Sequence, residues 1–223
     1  MALGRLSSEV FDAVIFDMDG TLIDSVPAVE RSWGIWAAEY GLDVDTIRRF
    51  HGVPAAGIVE VLIPKDRQQI AIDRINELEV ADVEGIVVLP GADGLLATLA
   101  AGGVPTAIVT SGTTDLAEAR LEATGLTHPP VVVTASDVER GKPWPDPWLE
   151  GARRLGVDPA DCLVVEDAVA GLRAARAAGC RALVAVLGTT AREELESEAD
   201  VVVPDFTHLT THVEGGRVSV GLA

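Results

Sequence analysis

The sequence predicts an α/β fold, a parallel β-sheet core carrying an inserted helical domain. Two patterns point there. Short apolar runs of strand length recur at 13–16, 104–109, 131–134, 162–165, 182–186 and 201–203, with helical patterns between most of them. Parallel neighbours need long crossovers, and helices on both faces leave strands that read as continuous apolar runs. The second pattern is a break in that rhythm. From about Val26 to Glu84 no strand signature occurs, only helical spacing such as Val29, Trp33, Trp36 and Tyr40.

Each element follows from local residue choice. Ala13 to Phe16 is an apolar run that Gly20 ends. The insertion begins at the Asp24–Pro27 connection and returns through 88–91, where Pro and Gly suit a hinge. Ile70, Ile75 and Leu78 approximate a second apolar helical stripe within it. Beyond Gly91, Leu95, Leu96 and Leu99 share a helix face; Trp148, Ala152 and Leu155 do so after Pro147, and Val169, Leu172 and Ala175 after Asp167. Gly102, Gly125, Gly156 and Gly179 stand where those helices should close. The tail from Glu214, with its Gly215-Gly216 turn, is expected to form a short edge strand or to fray. The boundaries expected are 1–24 with 90–223 for the core and 25–89 for a helical cap over the sheet's carboxyl edge.

Composition narrows the function classes. Hydrophobic residues make up 48% of 223, enough for a sizeable core, and no apolar run approaches the length of a membrane span. Seventeen basic against 35 acidic residues give a formal charge of −18, which repels nucleic acid and anionic lipid. An anionic substrate therefore needs a local positive centre. The N-terminus lacks a basic segment followed by an apolar stretch, so the expected location is cytoplasmic. Cys162 and Cys180 are too few for a disulfide framework and read as buried free thiols.

Four groups of reactive side chains occur at the ends of apolar runs: Asp17 and Asp19; Thr110, Ser111 and Gly112; Lys142; and Glu166 with Asp167. In an open α/β sheet the carboxyl ends of central strands share one edge, so these groups can meet in one crevice. Two carboxylates one residue apart are costly unless a cation lies between them. That suits phosphoryl transfer with Asp17 as nucleophile and Mg²⁺ held by carboxylates, Asp17 and Asp167 foremost. A hydroxyl and an ammonium, Ser111 or Thr110 and Lys142, can hold the non-bridging phosphate oxygens. Asp19 can protonate the departing alkoxide and then take a proton from water. Singly, a Thr-Ser after a strand is usually a helix cap and a Lys before Pro a surface residue; their ordered co-occurrence is what carries weight.

Asp17-Met18-Asp19-Gly20-Thr21-Leu22, Val109-Thr110-Ser111-Gly112, Gly141-Lys142-Pro143 and Val165-Glu166-Asp167 resemble the four signature motifs of the haloacid dehalogenase-like superfamily. The resemblance spans essentially the whole chain. It implies a Rossmann-like core, Mg²⁺ and an aspartyl-phosphate intermediate. By motif match it implies Asp17 and Asp19 as catalytic residues, and Thr110, Ser111, Gly112 and Lys142 around phosphate. Asp17, Asp19, Glu166 and Asp167 are then the expected metal set. The stretches around Thr110, Thr134-Ala135-Ser136-Asp137-Val138 and Ala178-Gly179-Cys180 are similar to the glycerol-phosphate and sugar-phosphate phosphatases of that superfamily. His51-Gly52, with Arg49 nearby, resembles a substrate-specificity element of those enzymes, although Val53-Pro54-Ala55 departs from the basic residues usual there.

The expected activity is thus a Mg²⁺-dependent phosphatase for a small polyol or sugar phosphate, acting as a monomer or small homo-oligomer. One alternative is a hexose-phosphate mutase like β-phosphoglucomutase; such relatives carry a His ten residues beyond the second Asp, where this chain has Val29. Dehalogenase relatives lack an acid at the Asp19 position. From another class, the phospho-accepting signalling module is about half this length and carries its phosphoacceptor on a later strand. Trp33 and Trp36 are expected in the core of the insertion, Trp144 and Trp148 as packing that fixes Lys142, and His128, His208 and His212 at the surface.

Overall fold

The structure, a computed structural model, describes residues 9–48, 55–188 and 190–223. Strands β1 (Ala13–Phe16), β4 (Thr106–Val109), β5 (Val131–Val133), β6 (Cys162–Glu166), β7 (Ala182–Val186) and β8 (Val201–Val203) form one six-stranded sheet. Its order is β5-β4-β1-β6-β7-β8 and every pairing is parallel. The expected α/β class is therefore observed, with strand bounds within two residues of those read from the apolar runs.

Alternation along each strand separates two cores. Val14 and Phe16 of β1 pack on one face with Leu96, Leu99, Ile108 and Leu163. Ala13 and Ile15 pack on the other with Val109, Trp148, Val164 and Leu172. The described helices are α1 (Val26–Glu39), α2 (Val44–Arg48), α3 (Ala55–Leu62), α4 (Gln68–Ala81), α5 (Ala92–Ala101), α6 (Thr114–Thr124), α7 (Asp146–Leu155), α8 (Val169–Ala177) and α9 (Arg192–Glu196). None is long and apolar enough to cross a membrane among the described residues.

The first four helices gather on a third hydrophobic cluster of their own, including Trp33, Trp36, Ile58, Val59, Ala71 and Ile75. Trp36 is its fully buried centre. It lies edge-on to Trp33 at 5.1 Å and stacks on Tyr40 at 4.6 Å, and its Nε1 donates to the Ala71 carbonyl at 2.9 Å, joining α1 to α4. The stripe expected on α4 is only partly right. Ile75 is buried, but Ile70 is 68% exposed and Ala71 takes the inward place, because a spacing of five residues leaves the face that one of four keeps.

The chain enters and leaves this helical segment through two short strands side by side. β2 (Ile23–Asp24) pairs antiparallel with β3 (Val87–Val88), and Leu89 N donates to Leu22 O at 2.9 Å. The strand expected after the Gly215-Gly216 turn forms. β9 (Leu209–Glu214) and β10 (Arg217–Leu222) form a separate antiparallel hairpin turning at Gly215 and Gly216. It does not extend the main sheet; Val218 and Val220 join the core, and Val218 bridges to Phe11. Gly102 closes α5 as expected. It is right-handed at φ −84°, and Gly103 at φ 69° makes the left-handed turn.

Trp36→Ala removes the largest side chain in the insertion's core. It should cost about 3–5 kcal/mol in denaturant unfolding followed by tryptophan fluorescence, whereas Ile70→Ala should leave the midpoint nearly unchanged.

Candidate active site

Three adjacent strands, β4, β1 and β6, deliver the candidate residues to one edge. Asp17 follows β1, Thr110 follows β4, and Glu166 ends β6 with Asp167 next. This is where crossovers depart to opposite sides of the sheet and where open α/β folds leave a crevice. The loop after β1 is wound tightly: Leu22 N donates to Met18 O at 2.8 Å and Gly20 N to Ile23 O at 2.8 Å. Gly20 has φ 83°, and a Cβ there would collide with the Asp167 carboxylate, so glycine is required on two counts.

At the centre stands Lys142, 6% exposed. Its ammonium donates to Asp17 Oδ1 at 2.6 Å, Glu166 Oε1 at 2.9 Å and the Val109 carbonyl at 3.1 Å. The Trp148 ring lies 4.5 Å below it, and Trp148 Nε1 is itself fixed to the Gly171 carbonyl at 3.1 Å. Burial works against the Lys142 charge, but Asp17 and Glu166 outweigh it and hold the pKa above the usual lysine value. Trp148 thus has the packing role expected of it, whereas Trp144 is half-exposed beneath the Arg140 guanidinium.

The acids outnumber that cation. One oxygen each of Asp17, Glu166 and Asp167 lies within 4.8 Å of the others, and all three residues are buried. Burial, with Glu166 adding to it, raises the Asp17 pKa against the pull of Lys142. Asp167 is raised by burial and by the carboxylates of Glu166 and Asp17. Glu166 is fully engaged, Oε1 on Lys142 and Oε2 accepting the Asp167 amide at 2.7 Å. Asp17 Oδ2 is buried with no hydrogen-bond partner among the described residues. Three carboxylates around one ammonium, one oxygen of them orphaned, fit a divalent cation.

Asp19 is not part of that cluster. Its carboxylate meets Arg120 Nη1 of α6 at 2.8 Å. Thr110 and Ser111 also separate. Thr110 is buried and its hydroxyl accepts the Gly112 amide at 3.1 Å, so it shapes the loop, while Ser111 is exposed; both line the cavity. Gly112 lines the cavity too. Arg49, His51 and Gly52 lie outside the described residues.

A cavity of about 630 Å³ opens above these groups. Its floor is Asp17, Asp19, Ser111, Lys142 and Asp167, and its roof comes from the helical segment: Val29, Trp33, Ile58, Asn76 and Glu79. Arg120 and Glu79 were not anticipated from the sequence. Each sits within an ordinary helical pattern of charged residues, and only the fold shows both to be buried. Cys162 and Cys180 are buried free thiols, as expected, their pKa values pushed up to about 12 by burial.

A family model described as haloacid dehalogenase-like hydrolase matches residues 11–179. The chain belongs to that family. It resembles hexitol phosphatase A of Escherichia coli strain K12, 43% identical over 88% of this chain and 92% of the relative. Fructose-1-phosphate phosphatase YqaB of the same strain is 34% identical over 78% and 96%. Among solved structures, a hydrolase from Pseudomonas syringae superposes with a TM-score of 0.79, at 31% identity over 87% of this chain and 94% of that one. The haloacid dehalogenase-like assignment makes the chain a hydrolase and agrees with the four motif groups around the cavity.

Gly171 exposes the site to a sharp test. A Cβ there would fall inside the Glu166 carboxylate. Gly171→Ala should lower stability by about 1–3 kcal/mol and, by shifting Glu166 off Lys142, reduce kcat severalfold in a steady-state assay of the folded fraction.

Proposed function

We propose that this chain, a phosphoric monoester hydrolase, is a Mg²⁺-dependent phosphatase of a small polyol or sugar phosphate. The observation that carries the reading is the buried cluster at the strand ends: Asp17, Glu166 and Asp167 about Lys142, with Asp17 Oδ2 unpartnered. Asp17 and Asp167 would hold the metal, with Glu166 orienting Lys142 and the loop backbone. When bound, Mg²⁺ supplies positive charge that screens the carboxylate from the phosphate and stabilises the transferring group.

The chain's own residues then divide the work. Asp17 attacks phosphorus as the bond to the leaving oxygen breaks, giving an aspartyl-phosphate. Lys142, fixed by Glu166 and Trp148, and the exposed Ser111 hydroxyl neutralise the non-bridging oxygens. Asp19 gives its proton to the departing alkoxide, then withdraws one from the water that hydrolyses the acyl phosphate. Segment 25–89 acts as a cap: it carries the cavity roof and turns about the paired connections at β2 and β3.

The roof supports a polyhydroxylated leaving group. Asn76 and Glu79 offer hydrogen bonds to hydroxyls, and Trp33, Val29 and Ile58 offer apolar surface to the carbon chain. The named activities of the two Escherichia coli relatives, on hexitol and fructose-1 phosphates, agree in substrate class. Val29 lines the cavity where the mutase reading needs a histidine, which favours hydrolysis.

Asp17→Asn should abolish phosphate release, by about 10³-fold or more, while far-UV circular dichroism stays unchanged; a folded, active variant would overturn the nucleophile. EDTA should remove turnover and added Mg²⁺ restore it. A panel of phosphorylated metabolites read by free phosphate should favour polyol and sugar monophosphates, and glucose 1-phosphate should release phosphate rather than yield glucose 6-phosphate.

A further inference from the structure

Arg120 is the one site-lining cation outside the Lys142 cluster among the described residues, and it is only 3% exposed. It rises from α6 of the core, yet its two partners come from elsewhere. Nη1 meets Asp19 Oδ1 of the β1 loop at 2.8 Å, and Nη2 meets Glu79 Oε1 of α4 at 3.4 Å. The Asp19 contact is an ion pair without hydrogen-bond alignment, and Arg120 Nε has no acceptor among the described residues. Glu79 is itself 8% exposed, and α4 belongs to the helical insertion.

Such an arrangement is costly to keep without a use. A guanidinium removed from water needs compensating carboxylates, and an exposed arginine on α6 would need none. Here one carboxylate is the group assigned to proton transfer, 26% exposed, and the other is on the roof. Removing Arg120 leaves Asp19 and Glu79 facing one another without a cation, so Asp19 turns toward solvent. Removing Glu79 leaves Arg120 half-compensated and loosens its hold on Asp19.

We infer that Arg120 is a positioning residue that holds the Asp19 carboxylate toward the leaving oxygen and, through Glu79, ties that hold to the seating of α4 over the site. This rests on the acid/base assignment of Asp19. Arg120 does not itself react; the proton passes from Asp19 to the alkoxide oxygen as its bond to phosphorus breaks. Asp19 is thereby oriented from both sides of the cavity, core and roof.

The leaving group separates this role from a structural one. A polyol leaves as a strongly basic alkoxide and needs the proton, whereas p-nitrophenolate leaves without it. The experiment compares kcat/KM for sorbitol 6-phosphate and p-nitrophenyl phosphate, as a ratio, in the full-length Mg²⁺-loaded enzyme and in Arg120→Met, Arg120→Lys, Glu79→Ala and Asp19→Asn. The ratio should fall about 30-fold in Arg120→Met, within the range general acid catalysis supplies. It should recover to within about fivefold in Arg120→Lys and fall about fivefold in Glu79→Ala. A ratio unchanged in folded Arg120→Met and Glu79→Ala overturns the inference. Should Arg120→Met not fold, Glu79→Ala and Arg120→Lys decide by the same criterion. Asp19→Asn tells the two failures apart. A selective fall there with none in the Arg120 and Glu79 variants overturns the positioning role alone, and equal losses on both substrates in Asp19→Asn remove the acid/base assignment together with it.

Discussion

Charge imbalance in a buried place is the constraint on which the rest of the molecule depends. Asp17, Glu166 and Asp167 cluster in a buried place where a single ammonium bonds Asp17 and Glu166. Each isolated charge so placed costs several kcal/mol, and the pairings to Lys142 offset the cost for one or two of the acids, not three. The excess is what fits the cluster to a divalent cation. The surrounding structure is arranged to tolerate it. Glycines at 20 and 171 let backbone approach the carboxylates where any side chain would collide, and the Trp148 ring closes the underside of Lys142. The sheet order puts the three strands that place the acids and Thr110 next to one another, and Lys142 reaches them from the loop after β5.

Much of this is legible in the order of the amino acids. Strand runs with both faces buried are nearly uninterrupted in Val, Ile, Leu and Ala, which is why 13–16, 182–186 and 201–203 match the observed strands residue for residue. Reactive residues that follow such runs directly, Asp17, Thr110 and Asp167, are placed by the strand itself. Lys142 is legible through its motif, although it stands nine residues beyond β5. What the sequence hides depends on tertiary direction. Arg120 and Glu79 lie 41 positions apart on different helices, and nothing local distinguishes them from solvated charges. The β9–β10 hairpin is hidden for a similar reason: its alternating pattern suits any half-buried strand, and only packing against Phe11 decides where it lies. Asp19 enters the expected metal set by motif match alone, and nothing in the sequence shows that its side chain meets Arg120 of α6.

Floor and roof of the cavity obey different physics. The floor is electrostatic, packed with acids and one base at the ends of rigid strands. The roof is largely apolar, with a few polar groups set among Trp33, Val29 and Ile58. On the proposed reading phosphate and its alcohol are met by different hydrophobic units, since the roof helices pack mainly on a cluster of their own, with Ala28 of α1 packing instead in a sheet core. A change of roof residue can alter which alcohol fits and leave the acids beneath untouched.

The two-residue ladder between β2 and β3 bears on how such a molecule can diversify. Because Ile23 pairs with Val88 and Asp24 with Val87, the chain leaves the sheet and comes back at nearly the same point. Whatever lies between is a closed detour whose length hardly affects the spacing of its ends, and the entropy of closing a detour grows only with the logarithm of its length. Helices can be added to this excursion, shortened or exchanged while β1 and β4 stay in register, so its lineage is free to explore new specificities at little risk to the fold that houses the reaction.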